Sequence, residues 1–254
     1  MTWHESIRAG FDLETTGRDP RTALIVTATL VMVDEQGRAA SSAEWLVDPG
    51  VPIPAEAAEV HGVTTERAQA EGMPAAQGVT EITETLRDLF AAGIPVVAFN
   101  GVYDFTVMDR EARRHGLTPL EARPVIDPFV LDKQVDRFRK GKRTLSAVSE
   151  HYGVTLENAH TSAADALAAV QVADALAAQY EQLRLALAHL NAHYAENVRM
   201  QTLLDITGFS LSKLERSFRK VFQMTPQQVL TRLRIQMAMH LLHGDDSIAC
   251  IGQA

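Results

Sequence analysis

The stretch GFDLETTGRDP, residues 10–20, sets two carboxylates, Asp12 and Glu14, near the end of an apolar run and follows them with Thr15, Thr16 and Gly17. A strand sends residues two apart to the same face, so the pattern aims both carboxylates at one spot. Like charges held that close repel, and a chain that keeps them together needs a reason. Working outward, the run Ile7–Thr15 is read as a strand. Ala23–Val33 (ALIVTATLVMV) and Ala43–Val47 share its short, β-branched character and are bounded by the turn signals RDP and DEQG. Three consecutive strands in an antiparallel meander are predicted.

Further along, the periodicity predicts helices over Thr65–Ala70 and Val79–Ala92, a buried strand over Pro95–Phe99, a helix over Tyr103–His115 and a short strand over Pro124–Asp127. Helices Val130–Phe138 and Thr144–Tyr152 follow, then a long one from Ser162. This order predicts an α/β fold, a mixed sheet flanked by helices. No strand-like segment follows Tyr180, and neither glycine nor proline occurs between Gly153 and Gly208. The long helix is therefore expected to continue into LRLALAHLNAHY, with Leu183, Leu187 and Leu190 on one stripe.

The chain has 254 residues and a formal net charge of −8. Residues 181–254 hold 8 Lys and Arg against 6 Asp and Glu, net +2, which leaves −10 on residues 1–180. An acidic balance disfavours polyanions in general, yet carboxylates that hold metal ions count as charge here and are neutralised in use. The single cysteine, Cys250, excludes an internal disulfide framework and is read as a small buried hydrophobe. No basic segment precedes an apolar one at the N-terminus, and no apolar run approaches the roughly 18 residues of a membrane span. A cytoplasmic protein without a membrane partner is expected.

Two more segments complete the acidic pattern. In AFNGVYDFTVMDRE, Asp104 stands at a helix start just beyond the buried strand; in HTSAADALAA, Thr161 or Ser162 caps a helix that carries Asp165 on its first turns, with His160 just outside. Four carboxylates at strand ends and helix starts converge on one crevice in this reading. Hard oxygen donors of this kind suit Mg²⁺ or Mn²⁺, and two ions about 4 Å apart would clamp a phosphodiester. A histidine is a suitable base for the attacking water.

In this order the segments resemble the DnaQ-like exonucleases with the Asp-Glu-Asp-Asp-His signature: FDLETTG looks like the first motif, NGVYDF the second and HTSAAD the third. The resemblance, which covers about residues 7–180, implies a ribonuclease H-like fold and removal of nucleotides from a 3′ end with two Mg²⁺ or Mn²⁺ ions. By position it implies Asp12, Glu14, Asp104 and Asp165 as metal ligands and His160 as general base, in the histidine branch. VHGVTTERA resembles the family's loop between the third strand and the next helix. Thr15, Thr16 and Gly17 resemble the turn that meets the terminal nucleotide, or form an ordinary strand-to-helix turn. His61 and Asn100 are further candidates on the substrate side, His61 being equally readable as a satisfied loop histidine. Phe105 is assigned to the core. The run DKQVDRFRKGKR, with Lys133, Arg137, Arg139, Lys140, Lys142 and Arg143, is either a track for phosphates or a solvated helix face.

Toward the C-terminus a helix is predicted to end at Gly208, with Ser210 capping the next, the helix-turn-helix pattern. GFS, FRKVF, MTPQQ and LRIQMAMHLL resemble the DNA-binding domain of AraC-type regulators. That resemblance implies Ser212, Glu215 and Arg216 facing base edges and Arg219 and Lys220 near the backbone. Regulators of that type carry two such units, and the sequence stops inside the first helix of a second, so a small all-α module over 181–254 is expected after an exonuclease domain over 1–180. The favoured reading is a 3′→5′ exonuclease acting on single-stranded DNA 3′ ends, with duplex DNA or short RNA as further substrates. The alternative is a DNA-binding regulator that uses the nuclease fold as a platform.

Overall fold

The computed structural model describes residues 3–155 and 162–242. His160, Thr161 and Cys250, and the start of any second helix-turn-helix unit, lie outside them. The chain forms two compact units, one from residues 1–133 and 140–176, the other from 134–139 and 177–254.

The first unit is built on a six-stranded sheet: β1 (Arg8–Thr15), β2 (Ile25–Val33), β3 (Ala39–Asp48), β4 (Met73–Pro74), β5 (Val96–Val97) and β6 (Val125–Ile126), in the order β4-β3-β2-β1-β5-β6. The β1–β2–β3 meander is antiparallel as expected, with Asp12 opposite Thr29 and Glu14 opposite Thr27. β5 runs parallel to β1 and β6 parallel to β5. The sheet is thus mixed, with β1 near its middle.

Helices cover both faces of the sheet. α1 (Ala55–His61), α2 (Thr65–Glu71), α3 (Ala75–Ala91) and α4 (Val102–Arg114) follow the meander, then α5 (Pro128–Val135), α6 (Leu145–Tyr152) and α7 (Ser162–Ala192). Successive side chains of β1 divide between the faces. Ala9, Phe11 and Leu13 join Ile82, Leu86 and Val107 in one core cluster, while Val31, Val33 and Val97 join Ala166, Ala169 and Val170 of α7 in another. Asp12 and Glu14, out of phase with Phe11 and Leu13, leave the first cluster.

Gly10 sets how closely α7 approaches. A Cβ there would lie 2.3 Å from the Ala166 carbonyl oxygen, so only glycine lets the helix backbone meet the strand. Buried Arg8 adds an ion pair to Asp174 of α7 and donates to the Ser6 and Asp34 carbonyls. The glycine contact brings the start of α7 against β1, and the ion pair ties the helix again about two turns further along.

Some expected boundaries shift. α1 occupies part of what reads as loop: Pro54 precedes it and Gly62, at φ 74°, ends it. α5 stops at Val135 rather than Phe138, and α3 starts at Ala75 rather than Val79. Phe105 is partly buried against the first cluster, its ring 5.9 Å from that of Phe11.

The second unit is helical among the described residues: the latter part of α7, α8 (Met200–Thr207), α9 (Leu211–Phe222) and α10 (Pro226–Leu242). α7 continues without interruption from one unit into the other, as the absence of glycine and proline predicts. Leu183 and Leu190 are buried, with Leu187 partly so, around Leu203, Leu214 and Phe218. Gly208 closes α8 at φ 64°, and the Ser210 side chain accepts from the Lys213 N–H, the cap that starts α9.

Candidate active site

The site begins at the C-terminal half of β1. Asp104 enters on the first turn of α4, where its Oδ1 accepts from the Leu13 N–H at 3.2 Å, between the positions of Asp12 and Glu14. Asp165 arrives on the first turn of α7, immediately before the Ala166 carbonyl that Gly10 admits.

The electrostatics show that the four carboxylates sense one another. The Asp12 carboxyl is pushed well above the usual range, first by burial, then by Asp104, Glu14 and Asp165. Glu14 rises to about 7 through burial and the Asp165 charge. Asp104 also rises to about 7: burial raises it, its own backbone and the Leu13 N–H oppose, and Asp127 and Glu14 add repulsion. These are the penalties expected when like charges share a low-dielectric crevice.

Among the described residues no three His, Cys, Asp or Glu side chains form a ready-made metal cage. The donor set nonetheless fits a hard divalent cation. It consists of carboxylate oxygens, and Asp12 Oδ2 is buried without a hydrogen-bond partner, an orphaned acceptor of the kind a cation would satisfy. Asp12, Glu14, Asp104 and Asp165 are the side chains that could hold one.

Beside Glu14 opens a groove of about 810 Å³ whose lining includes Thr15, Thr16, Gly17, Arg18, His61 and Tyr103. The two threonine hydroxyls work within the turn. Thr15 Oγ1 donates to the Gly17 carbonyl at 2.9 Å, and Thr16 Oγ1 accepts from the Leu24 N–H at 3.0 Å. His61 Nδ1 accepts from the Val63 N–H at 3.2 Å; burial lowers its pKa, opposed by the Thr15 backbone. Its Nε2 is buried without a hydrogen bond. Asn100 is exposed at φ 63°, apart from this lining.

Two neighbours escape a sequence reading. Asp127, at the end of β6, accepts from the Asn100 and Gly101 N–H groups at 3.0 Å each, which fixes the turn that starts α4. Tyr103 precedes Asp104 and lines the groove. The only sequence signal for either is adjacency, a carboxylate closing a buried strand and an aromatic beside a motif aspartate.

The basic run is partly committed inward. Arg143 is ion-paired to fully buried Asp132, which also accepts from the Tyr152 hydroxyl, so this arginine serves the core rather than a phosphate track. Lys133 lies 4.6 Å over the Phe129 ring.

In the second unit Ser212, Arg216 and Arg219 are exposed on α9, while Glu215 is partly buried and 3.5 Å from Arg219. Lys220 is engaged instead. Burial disfavours its charge, but Asp136 at 2.9 Å and Tyr180 hold its pKa above the usual value. It is held in an ion pair with Asp136.

A mixed sheet covered by helices, with carboxylates gathered at the end of its central strand and a helix-turn-helix unit following, defines the class: a ribonuclease H-like nuclease fold joined to a DNA-binding type of module. The family described as Exonuclease matches residues 9–173, and the family described as Helix-turn-helix domain matches residues 203–254. The chain belongs to the exonuclease family. It is 31% identical over 166 residues to the DNA polymerase III subunit epsilon-like protein of Rhodobacter capsulatus, covering 63% of this chain and 22% of that protein. It is also 39% identical over 71 residues to the HTH-type transcriptional activator RhaS of an Enterobacter species, covering 28% of this chain and 26% of the relative. The chain thus spans about a quarter of the length of these curated relatives. The crystal structure of Escherichia coli exonuclease I in complex with a dT13 oligonucleotide superposes with a TM-score of 0.59 at 17% identity, covering 74% of this chain and 44% of that one. No described helix is long and apolar enough to cross a membrane.

Proposed function

We propose that the protein is a divalent-metal-dependent 3′→5′ exonuclease that hydrolyses the terminal phosphodiester of a single DNA strand and releases nucleoside monophosphates in the cytoplasm. The observation that carries this reading is the convergence of Asp12, Glu14, Asp104 and Asp165, three of which are pushed up by burial and by one another. Family membership and the likeness to a nuclease crystallised with dT13 support it. Two Mg²⁺ or Mn²⁺ ions, when bound, would supply charge neutralisation and a water acidified toward neutral pH.

Within that reading Asp12, Glu14 and Asp165 would hold one ion, which would supply the activated water, and Asp104 would help hold the second. His160, placed by the sequence pattern alone, takes the water's proton. The groove beside Glu14 receives the 3′-terminal nucleotide, with Thr15, Thr16 and Gly17 as its floor and His61 at its wall. Asn100 acts from the turn that starts α4.

The test compares 3′-labelled and 5′-labelled single strands with Mg²⁺ or Mn²⁺. Early release of the 3′ label, lost with chelator and with Asp165→Ala, is expected; full activity in the substituted protein refutes the assignment. Short RNA in the same assay decides the sugar preference. A second reading, a regulator for which the nuclease fold is a platform, draws on the match to residues 203–254 and on exposed Arg216. It predicts sequence-selective duplex binding without hydrolysis.

A further inference from the structure

Tyr103 has a hydroxyl that no part of the proposed chemistry uses. Its ring packs against the core cluster around Phe11 and Val107, while its oxygen reaches the groove floor. There it donates to the Gly17 carbonyl at 2.5 Å and lies 2.5 Å from Thr15 Oγ1, which itself reaches the same carbonyl. Two hydroxyl protons serve three close contacts, Tyr103 to Gly17, Thr15 to Gly17 and Tyr103 to Thr15, so at least one proton is shared within the cluster. A polar lining oxygen is thereby turned inward, and the groove presents one acceptor fewer to an anionic strand.

The link also joins two motif segments. Thr15 follows Glu14 on β1, and Tyr103 precedes Asp104 on α4, so the hydroxyl fastens the groove floor to the helix start that delivers a carboxylate. We propose that Tyr103 is a positioning residue whose hydroxyl holds the Thr15–Gly17 turn in the form that receives the terminal nucleotide. This rests on the exonuclease reading for the identity of the ligand, but the clamp on the turn stands on its own geometry.

Tyr103→Phe removes the hydroxyl and keeps the ring in the core, so it separates positioning from packing. In the full chain, KM for a single-stranded oligonucleotide is expected to rise about 2- to 10-fold, the change one ordinary hydrogen bond produces. kcat should stay within about twofold. Amide hydrogen exchange at residues 16–18 should quicken while the unfolding midpoint is held. Thr15→Val, which removes the other hydroxyl, is expected to quicken the same amides. An unchanged KM with unchanged exchange overturns the proposal, and so does a loss confined to kcat. Should the unsubstituted chain degrade no strand with either cation, the nuclease reading fails by itself; the exchange comparison then decides the clamp, quickened amides upholding it and unchanged amides overturning it.

Discussion

At the residue scale the carboxylates beside Leu13 carry a cost, and under the proposed function a bound cation would relieve it. A carboxyl whose pKa is raised on folding holds its proton more tightly in the folded state. Its contribution to stability is therefore fully present below the ordinary carboxylate range and is lost as pH rises through the folded value. With Glu14 and Asp104 both near 7 and Asp12 raised as well, metal-free protein should lose stability between about pH 4 and pH 7. Asp12→Asn removes one of the repelling charges. In chelator at pH 8 it should raise the unfolding midpoint by about 2–4 °C, the shift that about 1 kcal/mol makes in a domain of this size. Adding Mn²⁺ should reverse the order, because only the unsubstituted protein gains the full binding free energy. Thermal unfolding with and without the cation checks both signs, and a lower midpoint for Asp12→Asn in chelator would contradict the account.

At the scale of elements, the contact of β1 with α7 decides whether Asp165 belongs to the site. The helix backbone can approach because residue 10 lacks a side chain, its would-be Cβ meeting both the Ala166 carbonyl and Val170. Gly10→Ala must push α7 away and carry Asp165 with it. A destabilisation of about 1–3 kcal/mol is expected, as for overpacked interiors, with a larger proportional loss of metal-dependent hydrolysis. Urea unfolding and initial rates measure the two, and a wild-type midpoint with full activity would remove Gly10 from the argument. The sequence made much of this architecture legible. The three long strands announce themselves by β-branched runs between turn signals, and α7 by an unbroken stretch without glycine or proline. α1 stayed hidden because it is short, follows a proline-rich stretch and buries no residue, so it leaves no apolar period to read. β5 and β6 pair over two residues each, fewer than their apolar runs suggest. The places of Asp12 and Glu14 on β1, and of Asp104 and Asp165 on the first turns of α4 and α7, were readable from strand ends and helix starts; their role as a site is the proposal. Tyr103 and Asp127 were not, since each acts on backbone groups of a distant segment and no local pattern encodes such a bond.

At the scale of the whole molecule, the chemistry divides between units that share α7. The acidic balance belongs to residues 1–180, where cations would offset it, and the +2 belongs to residues 181–254. A helix-turn-helix segment with so small an excess should make few phosphate contacts. Its duplex affinity should be low, weakly sequence-dependent and only mildly salt-sensitive, with a log–log slope of about −2 to −3 for two or three contacts. Lys220, held by Asp136, should add little to that slope, whereas exposed Arg216 should matter most. Fluorescence anisotropy with a short labelled duplex in Ca²⁺ tests the division. Arg216→Ala should cost about 1–3 kcal/mol of duplex affinity. Asp165→Ala, although inactive in hydrolysis, should bind the duplex as the unsubstituted protein does. The opposite pattern, duplex binding lost with Asp165→Ala and indifferent to Arg216→Ala, would mean that the nuclease unit alone grips DNA and that the C-terminal helices serve another purpose.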